Sequence, residues 1–198
     1  MSVATTAIIH GGATSKPVEA NDNFFKQFTS NSESIEGKLE ILACYWARPE
    51  EQWERLLDRD GGRIDEFSER EYDITILDKK PDISEELAAA DVIYIAGGQA
   101  DLIEPFYQRF RDLRELAAGK VIIGSSMGMF MLSQHYILSS DDGPVEMTVK
   151  EGLGLLDINT LAHWDIEPQQ TEKISALQKN SDYPTIALDE GEWAKIYI

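Results

Sequence analysis

Five short apolar runs rich in β-branched residues recur through the first two-thirds of the chain, and each is followed by a longer amphipathic stretch. The runs lie in TTAIIHGG (5–12), KLEILACYW (38–46), YDITILD (72–78), DVIYIAGG (91–98) and KVIIGSS (120–126). Runs of this length bounded by glycine or polar breaks signal strands. The helical patterns between them supply the crossovers that join parallel neighbours. The near-continuous apolar character of 92–96 and 121–123 predicts strands buried on both faces, as in a parallel sheet. The reading is an α/β fold with a mostly parallel sheet, as one domain over residues 1–198.

Helices are expected at 22–31, with Phe24, Phe25 and Phe28 on one face, and at 49–60. The second opens with Pro49, Glu50 and Glu51, the chemistry of a helix N-terminus. Further helices are expected at 82–90, with Asp82 or Ser84 as caps, over roughly 101–116, and through MGMFMLSQHY after the fifth strand. The tail reads differently: 152–165 is rich in turns, 171–179 is helical, and 185–198 is a C-terminal β-hairpin turning around Glu190-Gly191-Glu192.

The formal charge of −18, from 18 basic and 36 acidic residues, disfavours nucleic-acid and anionic membrane partners and favours solubility. Cys44 is the only cysteine, so neither an intrachain disulfide nor a cysteine metal cluster can form. Its position after Ile41-Leu42-Ala43 reads as a buried small hydrophobe. No basic-then-apolar leader opens the sequence and no apolar run is long enough to span a bilayer, so a cytoplasmic location is expected. The three histidines are scattered without HExxH-like spacing, and the Gly11-Gly12 and Gly97-Gly98 pairs lack the spacing of phosphate fingerprints. Neither metal nor cofactor is expected.

In a parallel α/β sheet, ligands gather at the carboxyl ends of the strands. There Gly124-Ser125-Ser126-Met127-Gly128 satisfies G-x-S-x-G after a strand and before a helix, the context of a nucleophile elbow centred on Ser126. A serine nucleophile needs a base. His10 ends the first strand and reads as a capping or core residue. His135 falls on the helix after the elbow and points elsewhere. His163 lies in an irregular segment that a loop can return to the sheet edge. Only 72 residues follow Ser126, too few for the lid and later strands of an α/β-hydrolase.

Four blocks in order, YIAGGQADLIEPFY, VIIGSSMGMFML, GLGLLDINTLAHWD and IALDEGEW, resemble the peptidase E and cyanophycinase group, the S51-type serine peptidases. The resemblance runs from about residue 90 to the end of the sequence. It implies a class I glutamine amidotransferase-like, flavodoxin-like three-layer sandwich with the elbow after the fifth strand. It also implies cleavage of a small peptide by acyl transfer, with Ser126 as nucleophile and His163 as base. The N–H of Met127 and Gly98 would form the oxyanion hole, and Gln99 would help bind substrate. For the third member, the resemblance points to Glu190 in LDEGEW, with Asp142 as the alternative acid.

Two departures bear on substrate. Elbows of this group usually read Ser-Ala-Gly-Ala, whereas here Met127 and Met129 replace the alanines, which is expected to reshape the pocket. The aspartyl dipeptidases of the group carry a basic residue after the histidine segment, whereas 164–172 has none and Lys173 is the nearest. Neither a preference for amino-terminal aspartate nor cyanophycin as substrate is therefore expected. A non-catalytic small-ligand-binding member of the same fold and a small serine esterase are the competing readings.

Overall fold

The structure is a computed structural model that describes residues 5–31, 36–140 and 147–198. In chain order the first half runs β1 (Thr6–His10), α1 (Glu19–Ser30), β2 (Leu39–Cys44), α2 (Trp53–Phe67), β3 (Tyr72–Ile76), α3 (Ser84–Ala89) and β4 (Val92–Ile95). There follow α4 (Ala100–Ile103), α5 (Leu113–Leu116), β5 (Val121–Ser125) and α6 (Met127–Leu132). The remainder is β6 (His135–Tyr136), β7 (Lys150–Glu151), β8 (Asn159–Leu161), α7 (Gln170–Asn180), β9 (Thr185–Ala187) and β10 (Trp193–Tyr197).

All five expected strands form, and they share one six-stranded sheet in the order β10-β1-β5-β4-β2-β3. Every neighbouring pair is parallel except β1 with β10. Strands β4 and β5 are buried along their whole length, as their apolar runs require, while the edge strand β3 alternates half-buried and exposed residues. Helix α1 packs on α2, and α3 on α5, in a flavodoxin-like α/β arrangement. The helix expected over 101–116 is broken. Pro105 cannot donate to the ladder, and the chain runs as a 3-10 helix from Glu104 to Phe110 between the short α4 and α5.

Register decides which strand ends meet. His10 lies opposite Ser125, Gly124 opposite Ile95, and Ile95 opposite Cys44. The four central strands therefore finish level. Gly11-Gly12, Ser126, Ala96-Gly97-Gly98 and the segment to Arg48 all emerge along one edge.

A second, small sheet in the order β7-β6-β8-β9 stands beside this edge. Strands β8 and β9 are parallel neighbours, so His163, two residues beyond β8, and Glu190, three beyond β9, leave the same end. The C-terminal strand pair is present, with Gly191 at φ 83° in its turn. The two strands do not pair with each other as a hairpin would. β9 joins β8 in the small sheet and β10 joins β1 in the large one, because each has an open edge to fill there. The turn between them is thereby anchored by both sheets.

Candidate active site

Ser126 follows the last residue of β5 and caps α6, with φ 48° and ψ −110°. A β-carbon-bearing residue adopts such a backbone only at a cost of about 1–3 kcal/mol, which the surrounding packing must hold. Its N–H donates to the His10 carbonyl (2.9 Å), and its own carbonyl accepts the Phe130 N–H (3.0 Å). The flanking glycines are required by close approach. A β-carbon on Gly128 would stand 2.0 Å from the Ile95 carbonyl oxygen, and one on Gly124 would stand 2.6 Å from the carbonyl of Gly128. Helix α6 can follow the strand this tightly only because both lack one.

The serine hydroxyl lies 3.0 Å from His163 Nε2, and His163 Nδ1 lies 2.9 Å from Glu190 Oε1. Ser126, His163 and Glu190 thus form a continuous line of hydroxyl, imidazole and carboxylate. The outer oxygen of Glu190 accepts a hydrogen bond from the Lys16 ammonium. That bond is the main reason the Glu190 carboxyl sits below the usual carboxylate range. Partial burial works against it, and His163 adds to the lowering. Asp142, the alternative acid, lies outside the described residues.

One tripeptide registers all three members. The carbonyl of His10 takes the Ser126 N–H, that of Gly11 takes the His163 N–H (2.9 Å), and that of Gly12 takes the N–H of Gly191, next to Glu190 (3.0 Å). The Gly12 backbone, at φ 112°, packs directly on the His163 imidazole, so a β-carbon there would come within 2.3 Å of that ring. The His10 ring is fully buried against Phe24. It accepts the Gly12 N–H at Nδ1 (3.0 Å) and donates from Nε2 to Asn21 Oδ1 (2.8 Å). Burial lowers its pKa to about 4, so it is a neutral support for the turn. Asn21 fixes the loop after β1 as well, donating to the carbonyls of Ala13 and Lys16.

A cavity of about 100 Å³ opens beside Ser126. Its walls include Ala13, Ser126 and His163, the three non-glycine residues with positive φ among the described ones. Strained backbone concentrated around one cavity marks a functional site. Two arginines complete it. Arg48, on the segment after β2, donates to the Gly97 carbonyl (2.7 Å), and Arg59, on α2, pairs with Asp60, whose side chain is fully buried. Burial pushes the Asp60 carboxyl up, while Arg59 and a hydrogen bond from Tyr45 oppose that rise.

The remaining sequence candidates are also placed. Met127 is the first residue of α6, where an N–H has no intrahelical acceptor. Gly97 packs against the serine: a β-carbon on it would lie 2.9 Å from Ser126 Cβ. Gly98, next in the chain, packs on the Ala47 carbonyl. Gln99 is exposed at the start of α4 and does not line the cavity. The side chains of Met127 and Met129, expected beside the pocket, are instead fully buried in the core and do not line the cavity. His135 sits on β6, not on a helix, bonded to Asn159. Cys44 is buried, with its thiol pushed up to about 12 by desolvation. Lys173 is buried against Glu167 and the Leu138 carbonyl and does not line the cavity.

Among the described residues no group of three His, Cys, Asp or Glu side chains could hold a metal ion, and no helix is long and apolar enough to cross a membrane. The arginines of the cavity were not anticipated. Their signal was present in α2, whose buried stripe reads Trp53, Leu56, Asp60, Ile64: an acid on an apolar face asks for a cation beside it.

The uncharacterized peptidase Lmo0363 of Listeria monocytogenes serovar 1/2a is 34% identical over an alignment of 103 positions that covers 47% of this chain and 50% of that protein. The chain thus matches about half the length of this curated relative. A crystal structure of a peptidase E protein from Listeria monocytogenes EGD-e aligns with a TM-score of 0.63 at 19% identity, covering 98% of this chain and 95% of that one. A peptidase from an acI-B1 Actinobacterium aligns with a TM-score of 0.62 at 18% identity, covering 99% and 85%. At these identities the structural likeness speaks for the fold. The profile of peptidase family S51 matches residues 64–197, about two-thirds of the sequence. The chain belongs to peptidase family S51.

Proposed function

We propose that the protein is a serine peptidase that removes a single residue from short peptides by acyl transfer through Ser126. The observation that carries this reading is the unbroken contact from Ser126 Oγ to His163 Nε2 (3.0 Å) and from His163 Nδ1 to Glu190 (2.9 Å). In the first half-reaction, Ser126 Oγ attacks the scissile carbonyl carbon while His163 Nε2 takes its proton. The negative charge on the carbonyl oxygen is received by the N–H groups of Met127 and Gly98. Collapse of the tetrahedral intermediate expels the amine, which leaves with the proton from His163. Water, deprotonated by the same nitrogen, then attacks the acyl carbon, and Ser126 recovers its proton as the ester breaks. Glu190 holds His163 with Nε2 free to accept and balances the imidazolium in each half-reaction.

The cavity favours a short acidic side chain. At about 100 Å³ it is well below the roughly 300–1,000 Å³ of pockets for drug-sized ligands. Arg48 and Arg59 on its wall offer donors to a carboxylate. They supply the positive charge that 164–172, which has no basic residue, does not.

The test is mass-spectrometric hydrolysis of a library of di- and tripeptides by wild type, Ser126→Ala and Arg59→Met. Wild type should cleave peptides with an acidic first residue best. Ser126→Ala should lose about 10⁴-fold or more. Arg59→Met should lose selectivity for acidic residues by about tenfold or more. Undiminished cleavage by Ser126→Ala would overturn the nucleophile assignment.

A further inference from the structure

The Glu190 carboxylate has two faces. Oε1 meets His163, and Oε2 meets Lys16, which reaches it from the loop between β1 and α1. The side chain of Glu190 is only 9% exposed, whereas that of Lys16 is 57% exposed. A lysine so exposed usually makes a pair of little consequence. This one differs because its backbone is fixed. The Lys16 N–H donates to the Ala13 carbonyl (3.0 Å), and the Lys16 carbonyl accepts from the buried Asn21 side chain (2.8 Å) and the Val18 N–H (2.9 Å). The same Asn21 holds His10, whose backbone carbonyl receives the Ser126 N–H. The lysine and the nucleophile are therefore referenced to one buried amide.

The charges around Glu190 make a cation there matter. On its own turn stand Asp189 and Glu192, and from the segment after β8 come His163 and Asp165, whose carboxylate accepts the Glu190 N–H (2.9 Å). The crowding is felt by Asp189, whose carboxyl is raised by burial, by Glu192 and by Asp165. Without a cation these acids would oppose ionisation of Glu190.

We infer that Lys16 is a positioning residue for the catalytic reaction: it acts through Glu190, keeping that carboxylate ionised and its inner oxygen turned to His163 in an acidic surround. The inference rests on the reading of Ser126, His163 and Glu190 as a working triad. Removing the cation raises the proton affinity of the Glu190–His163 pair as a whole, so the acid limb of the pH profile moves to higher pH.

Two measurements on wild type, Lys16→Met, Lys16→Gln and Lys16→Arg test it. The first is ¹³C NMR titration of the Glu190 side-chain carboxyl, assigned by comparison with Glu190→Gln; it needs no activity. The second is the pH dependence of labelling by an alkyl fluorophosphonate. In that reaction Ser126 Oγ bonds to phosphorus, fluoride leaves, and the serine proton passes to His163. In Lys16→Met the Glu190 midpoint should rise by about half a unit, and labelling on the acid limb should fall about threefold. Lys16→Gln, which keeps a donor but not the charge, should follow Lys16→Met, and Lys16→Arg should restore both readouts. Superimposable titrations of wild type and Lys16→Met would overturn the role of Lys16. Absence of labelling in wild type would instead overturn the triad reading, with the NMR titration still deciding whether Lys16 sets the Glu190 charge.

Discussion

Among the described residues, two contacts join a nearly buried glutamate to a lysine. In one, Glu167 meets Lys173 with both side chains almost wholly enclosed, at 2% and 1% exposure. The partners of this pair among the described residues are structural: Lys173 also donates to the Leu138 carbonyl, and Glu167 accepts the backbone N–H groups of Ser140 and Gln169. In the other, Glu190 meets Lys16, but the lysine stands in solvent and the carboxylate is shared with His163. The chemistry is the same, and burial separates the roles. A charge pair sealed on both sides serves to tie segments together. One left open on a single side can respond to solvent and hand its field to a third group.

Substitutions should separate the two pairs cleanly. The largest effect is expected from Glu190→Gln, which should lower kcat about 10⁴-fold, as an amide in place of the acid does in serine triads, by favouring the wrong imidazole tautomer. Its urea unfolding curve should stay within about 1 kcal/mol of wild type. Lys173→Met should do the converse. Stranding the buried Glu167 carboxylate should cost about 3–5 kcal/mol of stability, while kcat per folded molecule stays unchanged. Combining it with Glu167→Leu should recover part of the loss, because no charge is then left buried alone. A change in kcat with Lys173→Met, measured well below its melting temperature, would break the contrast.

A smaller effect comes from His10. Its ordinary pKa of 6.5 falls to about 4 in the folded protein, so below pH 6.5 the unfolded chain binds the extra proton and the native state does not. Stability is full above pH 6.5 and should decline by about 3 kcal/mol by pH 4. Chemical denaturation at pH 7 and pH 4 would read this slope, and His10→Gln should remove it. Persistence of the slope in that variant would assign it to the carboxylates.

The fold was legible because the parallel sheet writes itself as continuous apolar runs; 92–96 and 121–123 carried that signal without periodicity to confuse it. The elbow was legible because close approach of α6 to the sheet demands glycine at 124 and 128. What stayed hidden depends on pairing across distant segments. Pro105 breaks a helix whose apolar spacing alone reads as continuous. The last two strands look like a hairpin locally, yet each finds a better edge elsewhere, and no local pattern records an open edge in another sheet. Arg48, Arg59 and Lys16 look like ordinary surface cations, since composition cannot distinguish a solvated guanidinium from one that walls a cavity. Asp60 and Asn21 were the readable clues, each a polar residue on the buried stripe of its helix.

The tripeptide His10-Gly11-Gly12 has one more consequence, in the time of synthesis. Its three carbonyls are the reference for Ser126, His163 and the turn at Glu190, and Glu190 lies 180 residues beyond His10. At about 5–20 residues per second a ribosome needs roughly 10–40 s to travel that distance. For the last 64 residues of that interval the nascent chain holds the serine and the strand that orients it, but not Glu190. On the proposed reading, the site can assemble only late in synthesis, because a nascent chain that stops short of Glu190 lacks the acid.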